Sequence, residues 1–367
     1  MVRVVSEKLS WRQALAWRMR RHHLVEPARD AVTVASTLCG LHAQVMSSAE
    51  LSLWARTDTL PRNALADALW ERRTLVKLWA ARGTLHILPS SELGLWLAAL
   101  GTQTKFGNVG NAKIDKLVDV ISAALDDKVL TRTELASAAE RISGDPAHAE
   151  WIGSSWGSYL KAASFRGKIC FAKGDGTQVR FAAPDTWLRE PIRRPPAQDA
   201  LREITRKFLA AYAPATPEDL TRWWLGPPVP TRGHKLIAAL GKDAVEVDVE
   251  GHRAWVLASD LADIRAAAAP GTACLLPAFD PWVIGMSRRP PLLDPRHRDE
   301  VFRKQGWISP VLVVNGRIAG VWRHEGTGDR VSVELRPFGR LPAWAGRRLR
   351  ARAEQVRDFL AGAQDRL

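Results

Sequence analysis

His42 and Gln44 stand two residues apart in a short stretch between two predicted helices, and together they are equipped to handle a water molecule. An imidazole titrates near pH 6.5, so it can hold a water or take a proton from it. A glutamine amide cannot act as a base near pH 7, but its oxygen and nitrogen can orient a water. The spacing sets a condition. Side chains two apart point to one side of an extended segment and to opposite sides of a helix. Both can reach one water only if residues 42–44 are non-helical. Gly40 as a helix stop before them, and Ser47 with Glu50 as a capping box after them, make that plausible. The plain alternative is an ordinary interhelical histidine. Asp294 and His297 have the spacing of a dyad, but their proline-rich loop argues against one. Cys39, Cys170 and Cys274 lie too far apart for a zinc motif or a disulfide framework, and read as buried thiols in a reducing, cytoplasmic compartment.

The elements around His42 and Gln44 follow from local signals. Ser10 and Gln13 predict a capped helix running to about His22, with Leu9 stapled onto Ala14. A second helix is expected from about Asp30 to Cys39, and a third after Ser47. Residues 61–73 read as helical. LVKLW (75–79) and TLHIL (84–88) read as two strands around Arg82 and Gly83. Helices followed by a short hairpin are the winged-helix pattern. The pattern recurs, with helices expected over 114–125, after the Thr131–Glu134 box, and over 154–165. The last of these carries Trp156, Tyr159 and Lys161, with Arg166 just beyond; then KICFA and QVRFA flank a Gly174-Asp175-Gly176 turn. A third pass follows the loop REPIRRPPAQD, with helices over 201–213, 218–225 and 235–240 and a hairpin over 244–257. Strands are then expected over 274–285, around Asn315-Gly316 and over 331–335, before an arginine-rich helix at about 345–361.

The chain has 367 residues, with 53 Lys plus Arg against 39 Asp plus Glu, a formal net charge of +14. That excess favours a polyanionic partner, because neutralising phosphates releases condensed counterions. The composition is that of a folded globular protein, 46% hydrophobic and 25% charged, and no run is long and apolar enough to span a membrane. No secretory leader is visible at the start. Most of the 16 tryptophans are expected to anchor cores, and a minority to stack on bases.

Three runs, CGLHAQVMSSAELSLWART, LWAARGTLHILP and LLPAFDPWVIG, resemble in this order the winged-helix DNA glycosylases related to AlkZ and YcaQ. The resemblance implies an α+β chain: three tandem winged helices and a β-rich C-terminal domain, C-shaped around a basic channel. The boundaries expected are 1–105, 106–192, 198–260 and 261–367. It implies hydrolysis of the N-glycosidic bond of bulky N7-alkylated purines in double-stranded DNA, by a monomer needing no metal or organic cofactor. The role is repair or self-resistance to a genotoxin. The family motif is Gln-x-Gln or Gln-x-Asp, so here His42 replaces the first glutamine and Gln44 keeps the second. His42 is then the base or water-positioner and Gln44 the second water ligand. Arg82 and Thr84, in the shared Arg-Gly-Thr segment, are expected to contact DNA near the lesion, and Lys161, Arg166 and Arg222 its phosphates. The Phe279–Trp282 segment reads as a packing turn. A large adduct cannot easily be flipped into a snug pocket, so no deep base pocket is expected beside His42. The competing reading is a non-catalytic winged-helix regulator that binds DNA.

Overall fold

The computed structural model describes residues 7–58, 60–103, 110–154, 157–176, 178–269, 271–285, 292–326 and 328–362. It is a mixture of helices and small open sheets. The chain forms two compact units, Met1–Leu65 with Thr205–Leu367, and Ala66–Ile204. Among the described residues, no helix is long and apolar enough to cross a membrane.

In the first unit, Ser10 and Gln13 cap the helix Trp11–Arg21 in both directions. Asp30 caps Ala31–Thr37 by accepting from the Thr33 amide at 2.8 Å. Cys39 (φ 57°) and Gly40 (φ 98°) then turn the chain through left-handed conformations into the two-residue strand Leu41–His42. The next helix, Met46–Trp54, corrects one expectation. Its N-cap is Val45, which makes no side-chain cap bond, and Ser47 lies inside the first turn. Burial of Ala49, Leu51, Ser52 and Leu53 decides the register here, and outweighs the local Ser47–Glu50 signal.

After the helix Pro217–Leu225, capped by Thr216 with Asp219, and the helix Pro230–Ala238, the strands Ala244–Val249 and His252–Leu257 form a hairpin. Glu250 (φ 51°) and Gly251 (φ 84°) make its turn. A strand missed in the sequence, Glu7–Leu9, lies parallel to this hairpin, with Glu7 opposite Val247 and Leu9 opposite Val249. Three residues carry too little alternation to be read as a strand.

The C-terminal part is a four-stranded antiparallel sheet of Ala273–Leu276, Val311–Val314, Arg317–Glu325 and Ser332–Pro337. Asn315 (φ 47°) and Gly316 (φ 82°) make its tight turn as expected. Leu275, Leu312 and Trp322 pack with Ala345, Leu349, Val356 and Phe359 of the terminal helix Ala343–Ala361. On the other side, Leu276, Val311 and Val313 pack with Leu15, Met19 and Trp282. The strand expected to run to residue 285 stops at Leu276. Pro281–Ile284 is a helical turn, because Asp280 caps it and proline favours the first helical position.

In the second unit, the hairpin Leu75–Trp79 with Leu85–Pro89 forms as expected. The stretch before it is helical only over Ala64–Ala66 and then π-helical over Asp67–Glu71. Asn111–Ala124 and Arg132–Ser143 are helices, the latter capped by Thr131 with Glu134. The helix expected over 154–165 forms only over Leu160–Phe165; a separate helix, Pro146–Gly153, precedes it, with Gly157 at φ 58° between the two. Trp156 lies outside the described residues. Cys170–Asp175 and Gln178–Ala182 form the second hairpin, joined by Leu130–Thr131. Trp79 of the first hairpin lies 4.8 Å from the Phe171 ring of the second, and its backbone amide and carbonyl both bond the Ser164 hydroxyl. These contacts bind residues on either side of position 105 into one compact unit.

Candidate active site

His42 ends the strand Leu41–His42, and residues 43–44 are non-helical. Ala43 is fully buried, His42 is 7% exposed and Gln44 is exposed. The chain leaves the strand at His42 and bends at Gln44, so the imidazole is nearly covered and the Gln44 amide is open to solvent. The condition for a shared water is met by the backbone.

The His42 ring has a floor. It stacks on Phe279, with ring centroids 5.3 Å apart and planes 17° from parallel. Phe279 also receives the edge of Trp307, at 4.9 Å and 73°. Phe279 has φ 57°, a left-handed conformation that costs a non-glycine residue about 1–2 kcal/mol. The next residue shows what holds it there. The Asp280 carboxylate accepts from Arg56 Nη1 at 2.8 Å and Nη2 at 2.7 Å, from the Ser52 hydroxyl at 2.9 Å and from the Trp282 amide at 2.8 Å. Both side chains of the Arg56–Asp280 pair are fully buried. A two-pronged guanidinium–carboxylate contact fixes angle as well as distance. Ser52 lies in the helix that begins just after Gln44, and Arg56 follows its end. The motif, its following helix and the Phe279 turn therefore close one ring of contacts.

The ground beneath is also polar and buried. Arg18 donates to the carbonyls of Tyr212 (2.5 Å), Pro214 (3.3 Å) and Ala213 (3.4 Å), and burial brings its pKa down to about 10. The Tyr212 hydroxyl donates to the Leu38 carbonyl at 2.8 Å, tying down the helix end ahead of the motif. His22 donates through Nε2 to the Ala211 carbonyl at 3.0 Å, and its ring meets the rings of Tyr212 and Trp282 edge-on. Burial, aided by Arg56 and Arg18, holds His22 neutral well below the usual histidine range.

The remaining predicted residues divide between the units. Arg82 (φ 59°) and Thr84 sit half-buried in the turn of the first hairpin of the second unit, with the Thr84 hydroxyl donating to the Ala81 carbonyl at 3.1 Å. Lys161 lies against this turn. A Cβ on Gly83 would come within 3.1 Å of its Cδ. Arg82, Thr84 and Lys161 are thus one cluster, and burial lowers the Lys161 pKa. Arg166 stands apart, paired with Asp115 at 2.5 Å. Arg222 is half-buried on Pro217–Leu225 of the first unit. Asp294 and His297 form no dyad. Asp294 holds Arg296, while His297 holds Glu300 at 2.8 Å and stacks on Phe338. All three cysteines are buried, and burial pushes the Cys274 thiol up to about 12.

Arg56 and Ser52 were not picked out in the sequence, and Phe279 and Asp280 were read only as part of a packing turn, which the structure has. One signal was available. An Asp-Pro that opens a helical turn inside an apolar run places a carboxylate in a core, where it needs a cation.

A family model described as DNA glycosylase AlkZ-like matches residues 35–359. The interstrand DNA cross-link repair glycosylase of Streptomyces sahachiroi is 36% identical over 329 residues, covering 86% of this chain and 88% of that protein. The solved structure of the Streptomyces sahachiroi DNA glycosylase AlkZ superposes with a TM-score of 0.82 at 34% identity, covering 98% of this chain and 97% of that one. With a family model over residues 35–359, a relative 36% identical and a superposable fold in agreement, this chain belongs to the AlkZ-like family of DNA glycosylases.

Proposed function

We propose that this DNA glycosylase hydrolyses the N-glycosidic bond of bulky N7-alkylated purines in duplex DNA, with His42 and Gln44 handling the attacking water. The observation that supports this most is the non-helical 42–44 segment, with the His42 imidazole seated on Phe279 and Gln44 exposed two residues on. An N7-alkylated guanine is already cationic and departs as a neutral base, so the bond needs little help from a general acid. The demand is on the other side, where water must meet an oxocarbenium-like C1′. Gln44 orients that water through its amide. His42 holds it from the second side and takes the proton as the C1′–O bond forms. The product is an abasic site and a free base.

Three winged-helix units, the arrangement the resemblance implies, suit this task. The +14 charge draws in the backbone, and a bulky adduct is reached from the groove without a closed base pocket. Lys161, Arg166 and Arg222 are assigned to phosphates, and Arg82 with Thr84 to the neighbourhood of the lesion. The protein acts as a monomer, in repair or in self-resistance to an alkylating genotoxin, and crosslinks are within reach of the same chemistry.

The test is single-turnover excision from a duplex carrying one N7-methylguanine, read as alkali-labile strand breaks. His42→Ala should slow it at least 100-fold, the lower end of what a positioned proton-transfer group contributes, and Gln44→Ala about 100-fold, the cost of misplacing a reactant by about 1 Å. Wild-type rates for Gln44→Ala would remove the assignment. Tight, salt-sensitive duplex binding with no abasic sites would point to the regulator instead.

A further inference from the structure

Residues 303–307, Arg-Lys-Gln-Gly-Trp, form a short projecting loop whose base is firmly held. Phe302 faces Ile308 across an isolated bridge, the Arg303 amide donates to the Trp307 carbonyl at 2.8 Å, and the Ser309 amide donates to the Val301 carbonyl at 2.9 Å. Phe302 and Ile308 pack on the core that contains Trp282. Gln305 (φ 59°) and Gly306 (φ 77°) make the tight turn, and a Cβ on Gly306 would meet nothing within 4 Å. Arg303 and Lys304 are exposed. Trp307 is 45% exposed, the one exposed aromatic among the described residues.

A single exposed tryptophan is ordinary on a protein surface. The placement of this one is not. Its edge rests on Phe279, and the other neighbour of Phe279 is the His42 imidazole. An open indole, flanked by two cations on a braced turn, is thus one ring removed from the proposed water-handling histidine. Indole offers a large, rigid stacking surface at little entropic cost. Among the described residues it stays 45% exposed.

We propose that Trp307 is a specificity-determining residue, whose exposed indole stacks on a planar aromatic substituent carried by the N7-alkylated base while Arg303 and Lys304 meet adjacent phosphates. The substrate class is then N7 adducts bearing a flat ring system, in preference to small alkyl groups. This rests on the reading of His42 and Gln44 given above.

The experiment compares two duplexes, one with a single N7-(naphthylmethyl)guanine and one with N7-methylguanine. Single-turnover excision is measured for the wild type, Trp307→Ala and Trp307→Leu. Dissociation constants are measured in a Gln44→Ala background for both duplexes and for the undamaged one. Stacking on an aromatic side chain is worth about 1–3 kcal/mol per base, so losing it should lower the naphthylmethyl-to-methyl ratio about 5- to 150-fold. Trp307→Leu keeps an apolar contact for Phe279 and should lose the same preference, which guards against collapse of the loop in Trp307→Ala. An unchanged ratio in both variants overturns the proposal. So does an equal loss of affinity for all three duplexes, which would make Trp307 a general wedge between bases. If the wild type excises neither adduct, the glycosidic reading of His42 and Gln44 fails, and the ratio of dissociation constants still decides the role of Trp307.

Discussion

Asp280→Asn is the substitution that most directly tests how the site is held. It keeps the shape of the side chain but puts an amide, with donors of its own, against the two Arg56 nitrogens at 2.7 and 2.8 Å. The pair is fully buried, so Arg56 is left as an uncompensated charge in the core. Breaking such a pair from one side costs about 3–5 kcal/mol. For a domain of this size each kcal/mol lowers the melting temperature by about 2–4 °C, so a drop of about 6–20 °C is expected. A second effect should follow from Phe279. Its left-handed backbone is held by the Asp280 contacts with Arg56, Ser52 and the Trp282 amide. With these weakened, the turn can relax and the stack with His42 opens. Excision measured below the new transition should fall while duplex affinity holds. Melting followed by circular dichroism, beside single-turnover excision, separates the two effects. The double variant Arg56→Met with Asp280→Leu should regain most of the stability, since apolar replacements of buried ion pairs are often neutral or better, without regaining the rate. If Asp280→Asn melts within a few degrees of the wild type and excises at the same rate, the clamp holds neither the core nor the site.

Acid should weaken the fold through its buried histidines. His86 is pulled down to about 3 by burial and by Arg82, and His22 also lies well below 6.5. Below pH 6.5 the unfolded chain binds protons there that the folded chain refuses, so stability falls with pH at up to about 1.4 kcal/mol per unit per histidine. Urea midpoints at pH 7 and 5 should differ accordingly, less so in His86→Leu, and equal midpoints would contradict the burial argument. Gly285→Ala would set a Cβ 2.0 Å from the Tyr212 ring, so the variant should lose several kcal/mol and melt far below the wild type. An unshifted melting curve would mean that ring can move aside. Lys161→Ala should lower the slope of log affinity against log salt by about one without changing sequence preference, as expected of a single phosphate contact; an unaltered slope would free Lys161 from that role.

What could be read from the sequence was what is decided locally. Ser10 with Gln13, Thr131 with Glu134 and Asn315-Gly316 each settle a helix start or a turn within four residues, and all three stand in the structure. Ser47 with Glu50 has the same spacing and fails, because the buried face of that helix sets the start two residues earlier than the box requires. The apolar run through residues 274–285 looks like one strand until Asp280 and Pro281 interrupt it. At the proposed site, His42 and Gln44 were singled out from their motif and their placement between helices. Their floor was not, since Phe279 is brought to His42 by an ion pair whose members lie 224 residues apart. No periodicity or spacing encodes such a meeting.

The strand Glu7–Leu9 pairs with residues 247–249, and Arg56 waits for Asp280, while residues 66–204 form a compact unit of their own. On the ribosome these facts impose a schedule, since domains fold as units once their chain has emerged. The inserted middle unit is complete while its host is still a fragment. The segment bearing His42 is translated early and settles late, with no partner for its arginine and no seat for its imidazole until residues 279 and 280 emerge. The proposed catalytic segment is therefore among the last parts to be finished, and a chain that terminates before that point carries the motif without its support.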